Sequence, residues 1–101
     1  MPPIDVSHLA AQTMDDSELQ REILKLFDVQ LEQALSELGA LDEDGIRRLA
    51  HKLKGSARSV GAFPLADCAE RLMELPTSAV VMEDLKAEAA TTRDFLVTLI
   101  A

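Results

Sequence analysis

The stretch Arg47-Arg48-Leu49-Ala50-His51-Lys52-Leu53-Lys54-Gly55-Ser56-Ala57-Arg58 sets one histidine among five basic side chains and no acidic one. At about 100° per residue on a helix, Leu49, Leu53 and Val60 fall within roughly 20° of the side opposite His51, and Ile46 within about 40° of it. That side is apolar, so the imidazole is expected to face outward. Arg47, Arg48, Lys54, Gly55 and Arg58 all lie within about 60° of its direction, while Lys52 stands ~100° away at the rim. Such company suits phosphate chemistry. A neutral imidazole nitrogen is a nucleophile. Once phosphorylated, the ring would present about two negative charges to the same cations, which can answer with charge-assisted hydrogen bonds. Gly55 costs a helix interior about 1 kcal/mol relative to Ala. What it offers in return is room for close approach beside His51.

Other polar residues have plainer readings. Ser56 turns toward the buried side, where its hydroxyl is expected to bond a carbonyl of the preceding turn. Arg47 and Arg48 either contact a partner, answer the carboxylates of Asp42, Glu43 and Asp44, or lie solvated. His8 has no cationic company and lies on a different predicted helix from His51, so no metal site is expected. Cys68, the only cysteine, has no partner for a disulfide or a metal and sits among Ala66, Ala69 and Leu72 as a small core residue.

The elements that must position His51 read at helical period throughout. Val6 to Met14 predicts a short first helix, capped by Asp5 or Ser7. A second begins at Asp15, Asp16 or Ser17, carries Leu19, Ile23, Leu26, Phe27, Leu31, Ala34, Leu35 and Leu38 on its apolar face, and stops near Gly39. The helix of His51 starts from Asp42 or Asp44 and ends near Gly61. Pro64 suits the first turn of the next, whose inner face is Leu65, Cys68, Ala69, Leu72 and Leu75 and which Pro76 ends. Thr77 or Ser78 caps the last, with Met82, Leu85, Ala89, Thr92, Leu96 and Leu99 inward. No segment alternates with strand period. The expected fold is all-α: an antiparallel four-helix bundle with a short additional N-terminal helix, one domain over residues 1–101, with residues 1–4 a flexible tail.

Composition narrows the function. The chain has 101 residues and a net charge of −8, with 3% aromatic residues and neither Trp nor Tyr. An acidic protein without stacking platforms is a poor match for nucleic acid. Its length excludes a full dinucleotide-binding domain or a β/α barrel. No apolar run approaches the ~18 residues of a membrane span, and the opening residues have neither the basic nor the apolar region of a signal peptide. A cytoplasmic address is expected.

Ala50-His51-Lys52-Leu53-Lys54-Gly55-Ser56-Ala57, followed by Val60-Gly61-Ala62, resembles the signature of histidine-containing phosphotransfer (HPt) domains of two-component phosphorelays, and helix number and length extend the likeness to nearly the whole chain. The resemblance implies that His51 accepts a phosphoryl group on its outer ring nitrogen from an aspartyl phosphate of a receiver domain and passes it to another. It implies that Lys54 attracts that group and Gly55 admits the receiver's active-site loops. Arg58, Arg47 and Lys52 are the further candidates for phosphate or partner contact. The partners implied are receiver domains of hybrid histidine kinases and response regulators, met by a monomer that needs no cofactor of its own, the magnesium ion belonging to the receiver. Some relatives place a Gln on the following helix to hold the imidazole; here that region reads Arg71-Leu72-Met73-Glu74. There is no Walker-type loop and no nucleotide signature, so autophosphorylation from ATP is not expected. The alternative is a bundle that docks on a receiver or kinase without chemistry, but the intact His-Lys-Gly arrangement favours transfer. Residues 47–58 hold five of the ten basic residues and none of the 18 acidic ones, a local +5 against −13 elsewhere.

Overall fold

The computed structural model describes residues 1–101 as five helices: α1 (Val6–Gln12), α2 (Ser17–Leu38), α3 (Glu43–Val60), α4 (Phe63–Glu74) and α5 (Ala79–Ile100). Helices α2 to α5 form the antiparallel bundle, each packing on two neighbours, and α1 lies against α2 and α3. The helices of 22 residues, α2 and α5, are each about 33 Å long and account for most of the 39 Å long axis. No helix is long and apolar enough to cross a membrane.

Side-chain caps start four of the five helices. Asp5, Asp16, Asp42 and Ser78 each accept a hydrogen bond from the backbone N–H three residues on, satisfying a donor that the first turn leaves free. Helix α4 has no such cap and uses Pro64 in its first turn instead, where the missing N–H costs nothing. Helix α3 ends at Gly61 in the left-handed conformation, φ 85°, with the Ala62 N–H bonded back to Ala57 O at 2.8 Å.

The core is a continuous cluster fed by all five helices, with Leu31, Leu65, Leu72, Leu85 and Leu96 at its centre. Several expectations need correction. Ile4 is fully buried, and the Asp5 N–H donates to Gly61 O at 2.8 Å, so residue 4 is anchored to the bundle rather than part of a loose tail. Helix α1 stops at Gln12, because Met14 and Asp15 adopt positive φ, 53° and 61°, and turn the chain into α2. The buried stripe of α2 is Leu24, Phe27, Leu31, Ala34 and Leu38; Leu19 and Leu26 are exposed, because the apolar arc is wider than the strip its neighbours cover. Leu75 lies outside, one residue past the end of α4.

Candidate functional site

Helix α3 positions the site. Its buried residues Ala50, Leu53, Ala57 and Val60 face the bundle, and His51 is exposed as the sequence requires. Seen from His51, one flank of α3 turns toward α4 and the other toward α2. The α4 flank carries Lys54 between the buried alanines Ala50 and Ala57. The facing surface of α4 offers the equally buried Ala66 and Ala69. Small residues on both sides let the two axes approach closely, which brings a long side chain of one helix within reach of a carboxylate on the other. Lys54 Nζ accordingly donates to Glu70 Oε1 at 3.0 Å.

The α2 flank is different in kind. Lys52 and Ser56 line a groove between α2 and α3 together with Gln30, Gln33 and Glu37. Gly55 is exposed, and a Cβ built on it would meet nothing within 4 Å. The surface beside the imidazole is therefore open above Gly55 and occupied by an ion pair beside Lys54.

The five cations divide unequally. Arg47 is held by carboxylates of its own helix, with Nη2 2.9 Å from Glu43 and Nη1 3.8 Å from Asp44. Pairing with these carboxylates is one of its sequence readings, and it braces the guanidinium against the first turn of α3 while the side chain stays 47% exposed. Lys54 is committed to Glu70. Arg48, Lys52 and Arg58 are exposed and have no carboxylate within 4 Å. Arg58, in the last turn of α3, is also placed to offset the negative end of the helix dipole. The Glu70 carboxyl is held below its ordinary value of 4.5, chiefly by the hydrogen bond from Lys54, then by the charges of Lys54 and Arg58.

Glu70 is the residue that sequence reasoning missed. Its contact with Lys54 spans 16 positions and two helices, and helical period alone does not say which residues of two helices meet. The run of alanines on both faces was the available signal. Ser56 makes no side-chain hydrogen bond; its carbonyl accepts instead from Ser59 Oγ at 2.8 Å. His8 stands apart, edge-on to Phe63 with ring centroids 5.1 Å apart. Leu9 of α1 belongs to the core, whereas Met14, in the turn that follows the helix, is 91% exposed.

A family model described as the Hpt domain matches residues 17–95, which takes in α2, α3, α4 and most of α5. No match was found among curated proteins or among solved structures.

Proposed function

The chain belongs to the Hpt domain family, whose members carry out histidine phosphotransfer in phosphorelays and interact with receiver domains, and from that premise we propose that His51 is its phosphoacceptor. The observation that carries the assignment is an exposed imidazole on α3 set between a lysine and an open glycine. The lone pair of Nε2 forms the N–P bond as the P–O bond to the receiver's aspartate breaks and its electron pair returns to the carboxylate. Passing the group onward reverses these steps on a second receiver. Phosphoryl transfer of this kind depends on alignment and charge rather than on covalent help from the protein. The divalent cation that neutralises the phosphate is the receiver's.

Lys54 and Arg58 lie within about 60° of His51 on the helix and supply positive charge to the phosphoryl oxygens. The receiver's loops enter over Gly55, and Lys52 meets their acidic rim from the α2 side. Arg47, braced by Glu43 and Asp44, contacts the partner at the N-terminal edge of the same surface. Transient interfaces pair a small apolar centre with such a charged rim, and Met14, Leu19 and Leu26 are exposed apolar side chains available for that centre.

Incubation with a phosphorylated receiver is expected to place acid-labile, base-stable phosphate on the chain, and His51→Gln is expected to abolish it. Label retained by His51→Gln would overturn the assignment.

A further inference from the structure

Lys54 is the one residue of the cationic stripe whose charge is met from across the bundle. Its side chain is only 21% exposed, and the partner carboxylate of Glu70 is 45% exposed. We propose that Glu70 is a counter-ion which Lys54 exchanges for the phosphoryl group, so that Glu70 governs how readily His51 accepts phosphate, a role that rests on His51 being the phosphoacceptor.

Three observations carry this. Side chains three apart on a helix are neighbours, with Cβ atoms about 5–6 Å apart, so Lys54 can serve a group attached to His51. An ammonium has three donors and no acceptor; in the structure one of them is spent on Glu70 Oε1 at 3.0 Å, on the flank of α3 that faces α4. The second is charge. Lys54 and Arg58 both act on the Glu70 carboxyl and keep it ionised, so a full negative charge stands within the cluster that must attract an anion. The third is that Arg47 is engaged by Glu43 and Asp44. Of the cations within helical reach of His51, Lys54 is therefore the one whose availability depends on another helix.

Glu70 thus opposes acceptance in two ways: it occupies the ammonium and it repels the donor. A phosphoryl group carries about two negative charges and three acceptor oxygens, against one charge on the carboxylate, and it can draw Lys54 away. For a carrier this has a use. When the phosphoryl group departs, Glu70 takes Lys54 back, which favours release as well as tempering capture. Glu70 is a positioning residue in this scheme, since it acts through Lys54.

The test uses phosphoramidate as donor, which removes the receiver from the measurement. His51 Nε2 forms the N–P bond, the donor's P–N bond breaks, and ammonia leaves with the electron pair. The second-order rate constant for phosphorylation, followed by ³¹P NMR, is compared in the wild type, Glu70→Gln, Glu70→Asp, Lys54→Met and the Glu70→Gln/Lys54→Met double variant. Removing one charge at this range is expected to raise the rate about three-fold in Glu70→Gln at low ionic strength, and less as the salt concentration passes about 0.15 M. Glu70→Asp keeps the charge and stays near the wild type. In the Lys54→Met background the Glu70→Gln gain shrinks, because only direct repulsion is then relieved. A rate unchanged or lowered in Glu70→Gln overturns the exchange, as does an equal gain with and without Lys54. Failure of the wild type to take phosphate on His51 would overturn both this inference and the assignment of the acceptor. Normal uptake with no effect of Glu70 would remove this inference alone.

Discussion

Gly55 separates what a single residue does for the fold from what it does for a partner. It sits within α3, and an added Cβ would have nothing within 4 Å, so the free protein has no steric need for glycine. Gly55→Ala should therefore stabilise the bundle by about 0.5–1 kcal/mol, because glycine loses more backbone freedom on folding than alanine. If the receiver approaches over this position, the same methyl group slows transfer from a phosphorylated receiver. A raised urea midpoint together with slower transfer is the expected pair of results. Full transfer activity in Gly55→Ala would remove the approach role. At this scale the outward direction of His51 was legible in the sequence, because the spacing of Leu49, Leu53 and Val60 fixes where the core lies on one helix. The state of its neighbours was not. Whether Lys54 is free depends on Glu70, and that pairing is decided by how closely two helices approach.

The elements show the same division between local and tertiary causes. Caps at Asp5, Asp16, Asp42 and Ser78 follow from short polar side chains ahead of apolar periods, and Gly61 and Pro64 punctuate α3 and α4 where the sequence places them. The exposed side of α2 was less legible, since Leu24 and Leu26 are equally apolar and only contact with other helices buries one and leaves the other out. The N-terminal segment is anchored for a similar, tertiary reason: Ile4 is buried, and the Asp5 N–H after it is tied to Gly61 O at the end of α3. Gly61 makes room for that contact. With φ 85°, a Cβ there would stand 2.8 Å from Asp5 O and 3.3 Å from Asp5 N. Gly61→Ala meets the left-handed penalty of about 1–2 kcal/mol and a backbone clash as well, for a total loss of about 2–4 kcal/mol. The lowered midpoint should come with loss of the His8–Phe63 contact, read by NMR, as α1 is pushed off the end of α3. Unchanged stability would mean that the segment before α1 yields freely, contrary to its 2.8 Å hydrogen bond to Gly61 O.

Over the whole molecule, net charge and specific ion pairs make different demands as pH falls. The chain carries −8 at neutral pH, and protonating its carboxylates first reduces its self-repulsion and then, once the net charge turns positive, restores it. Two carboxyl groups are held below their ordinary values. Asp5, ordinarily 3.8, accepts from the Ser7 hydroxyl and then the His8 N–H; Glu70, ordinarily 4.5, is held down chiefly by Lys54. A carboxyl depressed in the folded state binds its proton more readily in the unfolded chain, so its contribution is complete above the unfolded value and disappears as pH falls through the folded one. The urea midpoint should therefore begin to drop below about pH 4.5, where Glu70 enters its range, and fall further beneath about pH 3.8 as Asp5 follows. The double variant Asp5→Ala/Glu70→Gln distinguishes this from bulk charge. It starts from a lower midpoint because a cap and an inter-helix pair are gone, and its decline below pH 4.5 should be shallower than the wild type's. Parallel declines would assign acid lability to net charge alone and would leave the α1 cap and the α3–α4 ion pair without a part in it. The shallower slope would place them at the two points where the basic helix α3 is tied to the rest of an acidic body: Gly61, under the α1 cap, and Lys54, beside the exposed histidine.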